Sequence, residues 1–149
     1  EFNVRFGDPE TQPVMLRLTS DLVDLIEAAI DGKLADTTAQ WDERPSLGVV
    51  MAAKPYPESP ITGDVITGLD SDLGDIQHGG AKVFHAGTAL DAQGNIISAG
   101  GRVLCVAALG SSVADAQANA YNGVGKVSWA NEFHRFDIGW RAIARERQA

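Results

Sequence analysis

The chain has 149 residues, of which 44% are hydrophobic and 21% are charged, as expected for one globular domain with or without part of a second. Its net charge of -8 argues against a nucleic-acid surface, because phosphate contacts need clustered Lys and Arg. No segment approaches the roughly 18–20 apolar residues that span a membrane, and the single Cys105 fits a buried thiol in a reducing cytoplasm.

Residues 1–7 alternate apolar and polar side chains, and this alternation predicts a strand. The apolar positions are Phe2, Val4 and Phe6, and the polar positions are Glu1, Asn3 and Arg5. The polar face is either the solvated side of an edge strand or part of a site, and the pattern leaves both open. Asp8-Pro9 ends the strand, and Thr11 can cap a short helix that follows.

Helical spacing begins at Ser20 and predicts an amphipathic helix with a buried stripe. The stripe comprises Leu22, Val23, Leu25, Ile26, Ala29 and Ile30. Gly32 is expected to end this helix, since glycine readily adopts the left-handed conformation of a C-terminal cap. The next residues, 34–46, are mostly polar and are interpreted as a linker that Trp41 pins to a neighbouring surface.

Short apolar runs after residue 46 predict a sheet. Strands are expected at residues 47–53, 61–69, 81–90 and 95–110, with a hairpin turn in DAQGN. Ser112 and Asp115 form a capping pattern for an Ala-rich helix that ends before Asn122-Gly123. A short strand and a turn follow, with four aromatic packing anchors: Trp129, Phe133, Phe136 and Trp140.

These patterns predict an α+β fold in two parts. Residues 1–33 form the first part and residues 34–46 the linker. Residues 47–149 form a small antiparallel β-rich domain, of the barrel-sandwich type, with one main helix.

The polar residues of the first segment have the chemistry of a phosphate or metal site. Glu1 and Asn3 lie two apart on one strand face and form a hard-oxygen pair that suits Mg²⁺. Arg5 on the same face can hold a phosphate or carboxylate. Asp8 and Glu10 can grip an ammonium group or a second metal, or simply cap the helix.

EFNVRFGDPETQP resembles the signature of the phosphoribosylamine–glycine ligase family of the ATP-grasp superfamily. Further stretches resemble successive parts of the family's C-terminal third: SDLVDLIEAAIDGKL, WDERPSLGVVMAA, GGAKVFHAGT, GGRVLCVAALG and DIGWRAI. The resemblance implies that residues 1–33 end an ATP-grasp domain. It also implies a cytoplasmic enzyme of purine biosynthesis whose substrates are ATP, glycine and 5-phosphoribosylamine.

The resemblance also implies roles for the first segment. Glu1 and Asn3 would be ligands of Mg²⁺ or Mn²⁺. Arg5, Asp8 and Glu10 would line the reacting end of the site, with Arg5 toward a carboxylate or transferred phosphate and the two carboxylates toward the glycine amine. Family members are much longer, so we expect a piece that lacks the N-terminal and most ATP-grasp portions, or whose remainder is a separate chain. On its own, this piece is expected to be inactive.

Two alternatives to this reading are another ATP-grasp ligase or carboxylase and a non-catalytic module for protein contacts. Outside the first segment, His85 either faces a cleft or is a hydrogen-bonded strand residue. Gly100-Gly101 before Arg102 either lets a backbone approach a ligand or another domain, or marks a β-bulge.

Overall fold

The structure is a computed structural model that describes residues 4–148. Within this range the helices are α1 (Thr11–Arg17), α2 (Leu22–Ile30), α3 (Val113–Val124) and α4 (Trp140–Glu146). The strands are β1 (Ser46–Ala53), β2 (Ala81–His85), β3 (Thr88–Leu90), β4 (Ile96–Ser98), β5 (Arg102–Leu109) and β6 (Glu132–His134). Two short 3-10 turns lie at Leu34–Asp36 and Ile76–His78.

Four strands form an antiparallel sheet in the order β2-β5-β1-β6, and β3 pairs with β4 in a separate hairpin. The α+β class is therefore confirmed. The expected barrel is not: within residues 4–148 the sheet stays open, with β2 and β6 as unjoined edges. The β1–β5 register shifts by one residue between Met51, which pairs with Leu104, and Ala52, which pairs with Arg102. The extra residue in β5, Val103, forms a bulge.

The main core lies between α3 and one face of the sheet. Val49 and Val106 are fully buried there, as are Ala116 and Ala120 of the helix. The Ser112 side chain accepts a hydrogen bond of 3.0 Å from the Asp115 amide, which confirms the predicted cap.

The helix α3 runs past its predicted end at Asn122-Gly123 to Val124. A Cβ atom on Gly123 would lie 2.7 Å from the Ala81 Cβ and 2.8 Å from the Val106 Cγ1. The glycine therefore lets the helix approach the sheet closely and does not end it.

Helix α1 packs on the opposite face of the sheet. A Cβ on Gly48 would lie 3.0 Å from the Cys105 Sγ and 3.4 Å from the Pro13 Cδ. Successive strand residues point to opposite faces, so Cys105 faces α1 while Val106 faces α3. The Ser46 hydroxyl also donates a 2.6 Å hydrogen bond to the Pro13 carbonyl, which fixes the helix to the start of β1.

Three strand predictions differ from the structure. Residues 61–69 form no strand and make only isolated bridges, because Gly63 and Gly68 adopt positive φ angles of 93° and 83°. The runs 81–90 and 95–110 each break into two strands. Their breaks pass close to one another, since a Cβ on Gly100 would lie 3.2 Å from the Gly87 Cα.

Helix α2 forms as predicted, but its apolar stripe is not buried. The cap at Gly32 is confirmed, with φ at 69° and the Lys33 amide donating to the Ala28 carbonyl at 2.8 Å. Val23, Ile26 and Ile30 are 60%, 49% and 80% exposed. The residues 4–148 supply no surface that covers this stripe, and the prediction of burial is wrong for that reason.

The C-terminal and N-terminal ends also depart from expectation. Trp129 is buried, but Phe136 and Trp140 are 81% and 53% exposed and so do not act as core anchors. An unpredicted helix, α4, forms there and turns Ile143 inward. Residues 4–7 form no strand, and the remainder of the predicted first strand, residues 1–3, lies outside the described residues.

Candidate functional site

The predicted site residues fall into two groups. Glu1 and Asn3 lie outside the described residues, so their assignment as metal ligands stays a prediction. Arg5, Asp8 and Glu10 lie in the segment that leads into α1, and residues 8–10 form a turn there. Glu10 occupies the position before the helix without a capping side-chain bond.

Thr11 closes this turn, although not as the predicted cap. It is the first residue of α1, and its amide and hydroxyl donate to the Gly7 carbonyl at 3.0 Å and 2.6 Å. The hydroxyl therefore acts as a donor, whereas a capping side chain would accept a bond from the helix.

An open groove of about 1030 Å³ runs along this segment. Its lining includes Arg5, Phe6, Gly7, Glu10, Pro13, Val14, Arg17, Trp41, Pro45 and Ser46. The groove thus brings Arg5 and Glu10 together with exposed apolar surface, since Phe6 and Trp41 are 55% and 46% exposed. Asp8 is not part of this lining.

The predicted linker forms the second wall of the groove. The Arg17 guanidinium donates to the Asp42 carbonyl at 3.1 Å and 2.9 Å, and the Asp42 amide donates to the Arg17 carbonyl at 2.7 Å. Hydrogen bonds from the Arg44 side chain and amide lower the pKa of Asp42 to about 2. Residues 41–44 are therefore tied to the end of α1, while the domain boundaries themselves stay a prediction.

Asp8 contacts the start of β5 instead of the groove. The Arg102 Nη1 atom donates to the Asp8 carbonyl at 2.9 Å and lies 3.4 Å from its Oδ2 atom. The Arg102 Nε atom donates to the Tyr56 hydroxyl at 2.8 Å. These contacts raise the pKa of Arg102, mainly through the Tyr56 hydrogen bond and then through the Asp8 charge.

Gly101 makes room for this arrangement. A Cβ atom there would lie 2.5 Å from the Tyr56 Cδ2 atom, so glycine lets the ring lie against the strand beside Arg102. The Gly-Gly pair is thus a site of close approach, but to a tyrosine ring of this chain, and the bulge in β5 lies at Val103, beyond the pair.

The histidines have protein partners in the described residues. The His85 Nδ1 atom lies 3.1 Å from the Thr88 hydroxyl, in keeping with a hydrogen-bonded strand residue. His78 and His134 lie 2.7 Å from Asp75 and Glu132. Within residues 4–148, no group of three or more His, Cys, Asp or Glu side chains could hold a metal ion. No helix in this range is long and apolar enough to cross a membrane.

Sequence reasoning missed Arg102 and Tyr56 as partners of the Asp8 turn. The signal it did contain was the Gly100-Gly101 pair, which indicates a close approach next to Arg102. It could not identify what approaches, because Asp8 lies 94 residues away in the chain.

Comparison with known proteins identifies a matching family model and several similar enzymes. Residues 46–141 match the family model described as phosphoribosylglycinamide synthetase, C domain. All 149 residues align at 72% identity with phosphoribosylamine–glycine ligase of Xanthomonas campestris pv. campestris, and cover 33% of it. The enzyme of Salmonella typhimurium is 58% identical over 147 residues, which are 99% of this chain and 33% of that relative.

A solved structure agrees with these matches. The crystal structure of phosphoribosylamine–glycine ligase from Thermotoga maritima is similar, with a TM-score of 0.66 and 30% identity. The similarity covers 93% of this chain and 32% of that one. The chain therefore spans about a third of the length of the relatives it matches.

Proposed function

The chain belongs to the phosphoribosylglycinamide synthetase C-domain family, and from this we propose that it acts as the C-terminal part of a phosphoribosylamine–glycine ligase. The observation that carries the proposal is the 72% identity over all 149 residues, a range that includes the Arg5–Glu10 segment. The parent enzyme would join glycine to 5-phosphoribosylamine with ATP, as a step of purine biosynthesis.

The proposed reaction has two steps. A glycine carboxylate oxygen attacks the γ-phosphorus of ATP, which gives glycyl phosphate and ADP. The amine of 5-phosphoribosylamine then attacks the acyl carbon, so an amide forms and phosphate and a proton leave. Neither step needs a side-chain nucleophile, and the protein therefore acts mainly by positioning charged groups.

We assign these positioning roles to three charged residues of the first segment. Arg5 lines the groove and suits a carboxylate or the transferred phosphoryl group, because a guanidinium can donate two parallel hydrogen bonds. Glu10 lines the same groove and suits the glycine ammonium group. Asp8 is proposed for the same ammonium group, from a turn that Arg102 holds.

A divalent metal, Mg²⁺ or Mn²⁺, is proposed with Glu1 and Asn3 among its ligands. The described residues alone do not fit a metal centre, and further ligands would have to come from the rest of the enzyme. When bound, such an ion would offset the negative charge of the ATP phosphates. In the complete enzyme, Glu1→Ala or Asn3→Ala should raise the Mg²⁺ concentration required for turnover, and an unchanged metal dependence would remove the assignment.

The rest of the ligase is also the proposed partner of the exposed apolar surface. Val23, Ile26 and Ile30 of α2, together with Phe6 and Trp41, present apolar side chains that residues 4–148 leave uncovered. The relatives are about three times as long as this chain, so they contain enough further protein to cover it. The chain alone therefore carries one wall of a site and should not turn over substrate.

ADP release tests the proposal directly. We would measure it for the complete polypeptide that carries this chain, with glycine and 5-phosphoribosylamine added singly and together, and use the 149-residue chain as the matched control. Multiple-turnover release that needs both substrates in the complete protein, with none from the control, supports the ligase. A folded complete protein without this dependence would contradict it and favour a non-catalytic module. Release that depends on another amine or carboxylate would favour another ATP-grasp ligase.

A further inference from the structure

We propose that Arg102 and Tyr56 clamp the Asp8 turn against the sheet, and that Arg102 is thereby a positioning residue for the ligase reaction. The inference rests on the proposed function, since it concerns the segment to which that function assigns substrate contacts. Neither residue lines the groove, so the role assigned to them is indirect.

The geometry of Arg102 gives the clamp its direction. Its Nε atom is held by the Tyr56 hydroxyl at 2.8 Å, and its Nη1 atom reaches the Asp8 carbonyl at 2.9 Å. A guanidinium is planar and rigid, so fixing Nε on one partner also fixes the direction in which Nη1 points. The second contact, at 3.4 Å to the Asp8 carboxylate, adds charge attraction to the same turn.

The clamp starts from a rigid part of the fold. Arg102 is the first residue of β5, and the next two residues, Val103 and Leu104, are 0% and 1% exposed. The Gly101 carbonyl accepts a 2.8 Å hydrogen bond from the Ala53 amide of β1. The Tyr56 ring lies against Gly101, where any Cβ atom would collide with it. Movement of the Arg102 backbone would therefore disturb the core.

Two further hydrogen bonds of this segment are local. Thr11 binds the Gly7 carbonyl, and the Arg5 Nη1 atom donates to the Phe6 carbonyl at 3.0 Å. These bonds shape the segment but do not set its place on the sheet. Helix α1 is seated further along, through Pro13 and Ser46. Arg102 supplies a second attachment across 94 residues, and two attachments fix the direction of the segment between them.

Hydrogen exchange tests the clamp without using activity. The reporter is the amide of Thr11, which closes the turn onto Gly7. We would compare the complete enzyme with its Arg102→Ala, Tyr56→Phe and Arg135→Ala variants. Arg135 is the control, because its guanidinium likewise contacts an aspartate, Asp137, with hydrogen bonds of 2.8 Å and 2.7 Å, but does not contact the Asp8 turn.

We expect exchange in residues 5–14 to rise several-fold in Arg102→Ala and by a smaller factor in Tyr56→Phe, and to stay unchanged in Arg135→Ala. Unchanged exchange in the Arg102 variant would overturn the clamp. Tyr56→Phe keeps the ring against Gly101 and loses only the hydroxyl, so it stays informative if the Arg102 variant folds poorly.

Kinetics test the positioning role. For Arg102→Ala we expect kcat to fall about 10-fold to 100-fold, with the KM for ATP and the thermal midpoint little changed, because a small misplacement of a site residue lowers the rate on this scale. Arg102→Lys should restore part of the loss. Adding Tyr56→Phe to Arg102→Ala should cost little more, since the Tyr56 hydroxyl acts through the Arg102 guanidinium.

The outcomes separate this inference from the proposed function. A wild-type enzyme without substrate-dependent ADP release refutes the function, while the exchange result still decides the clamp. An active wild type with unaffected Arg102 variants, or losses that multiply in the double variant, refutes the positioning role and leaves the function standing.

Discussion

Gly123 offers a sharp test of the packing between α3 and the sheet. A Cβ atom at this position would lie 2.7 Å from the Ala81 Cβ and 2.8 Å from the Val106 Cγ1. Val106 is fully buried and Ala81 has no rotamer to change, so neither neighbour can move aside without shifting backbone. Gly123→Ala should therefore push the helix away from β2 and β5.

Gly125 is the matched control, two residues further along. A Cβ there would meet only the Tyr121 and Asn122 carbonyls, at 3.6 Å and 3.7 Å, which is ordinary contact. Gly125 follows the last residue of α3 with right-handed angles of φ -63° and ψ -11°, so alanine fits there without strain, and at both positions alanine restricts the unfolded chain by about 0.4–1 kcal/mol. That effect largely cancels between the two variants. The remaining difference is the overpacking at Gly123, and it should lower the free energy of unfolding by about 1–3 kcal/mol relative to Gly125→Ala.

Urea unfolding of the 149-residue chain, followed by circular dichroism, measures this difference. We expect Gly123→Ala to unfold at lower urea than Gly125→Ala, with equal slopes. If the two variants unfold within about 0.5 kcal/mol of each other, α3 does not lie as close to the sheet as described.

Three further predictions concern titration and autonomy. The Asp42 carboxyl should titrate near pH 2 by NMR, and in Arg44→Gln its pKa should rise only part of the way to 3.8, because the amide of residue 44 still donates to it; since the Asp42 pKa is lowered on folding, its contribution to stability is lost as pH falls from 3.8 toward 2. Burial, and then the Asp8 charge, raise the pKa of Cys105 to about 11, so the native thiol should resist alkylation at pH ~8 and react in urea; rapid native labelling would contradict this. Because the pKa of the Cys105 thiol is raised on folding, the contribution of this thiol to stability is lost as pH rises from 9.0 toward 11. Residues 47–149 should melt cooperatively, at a lower midpoint than the full chain because Pro13 no longer covers Gly48 and Cys105; a gradual melt would argue against the predicted boundary.

Local signals were sufficient for part of the fold. The strand over Ser46–Ala53, the turn between β3 and β4 and the Ser112 cap were all predicted, because each depends on neighbouring residues. The Asp91 side chain, for example, accepts bonds of 2.9 Å and 2.8 Å from the Gln93 and Asn95 amides within the predicted turn. Such contacts can be read from residue type and spacing alone.

Signals that depend on distant packing were misread. Gly123 looked like a helix end, although its role is to let α3 touch Ala81, over 40 residues earlier in the chain. Gly68 interrupts the strand expected over residues 61–69, because a Cβ there would lie 1.9 Å from the Lys126 carbonyl oxygen. In both cases the glycine was visible in the sequence, but the atom that requires it was not.

In the candidate site, too, local patterns predicted one part of the arrangement and contacts between distant residues determine the other. The motif around Arg5, Asp8 and Glu10 indicated where charged groups gather, and the structure places Arg5 and Glu10 on one groove. It separates Asp8 from that lining and joins it to Arg102 at the end of β5. No local pattern links the two residues, since the bond depends on α1 lying on the face of the sheet opposite α3.

The exposed stripe of α2 completes this argument. Its spacing correctly predicted a helix with one apolar face, and Gly32 caps its C-terminal end as expected, so the local interpretation was sound. Only the covering surface was assigned wrongly, because spacing indicates that a face is to be buried and not what buries it. The groove is lined by residues on either side of α2 and by none from the helix itself, so the sequence pattern of α2 carries no information about the groove.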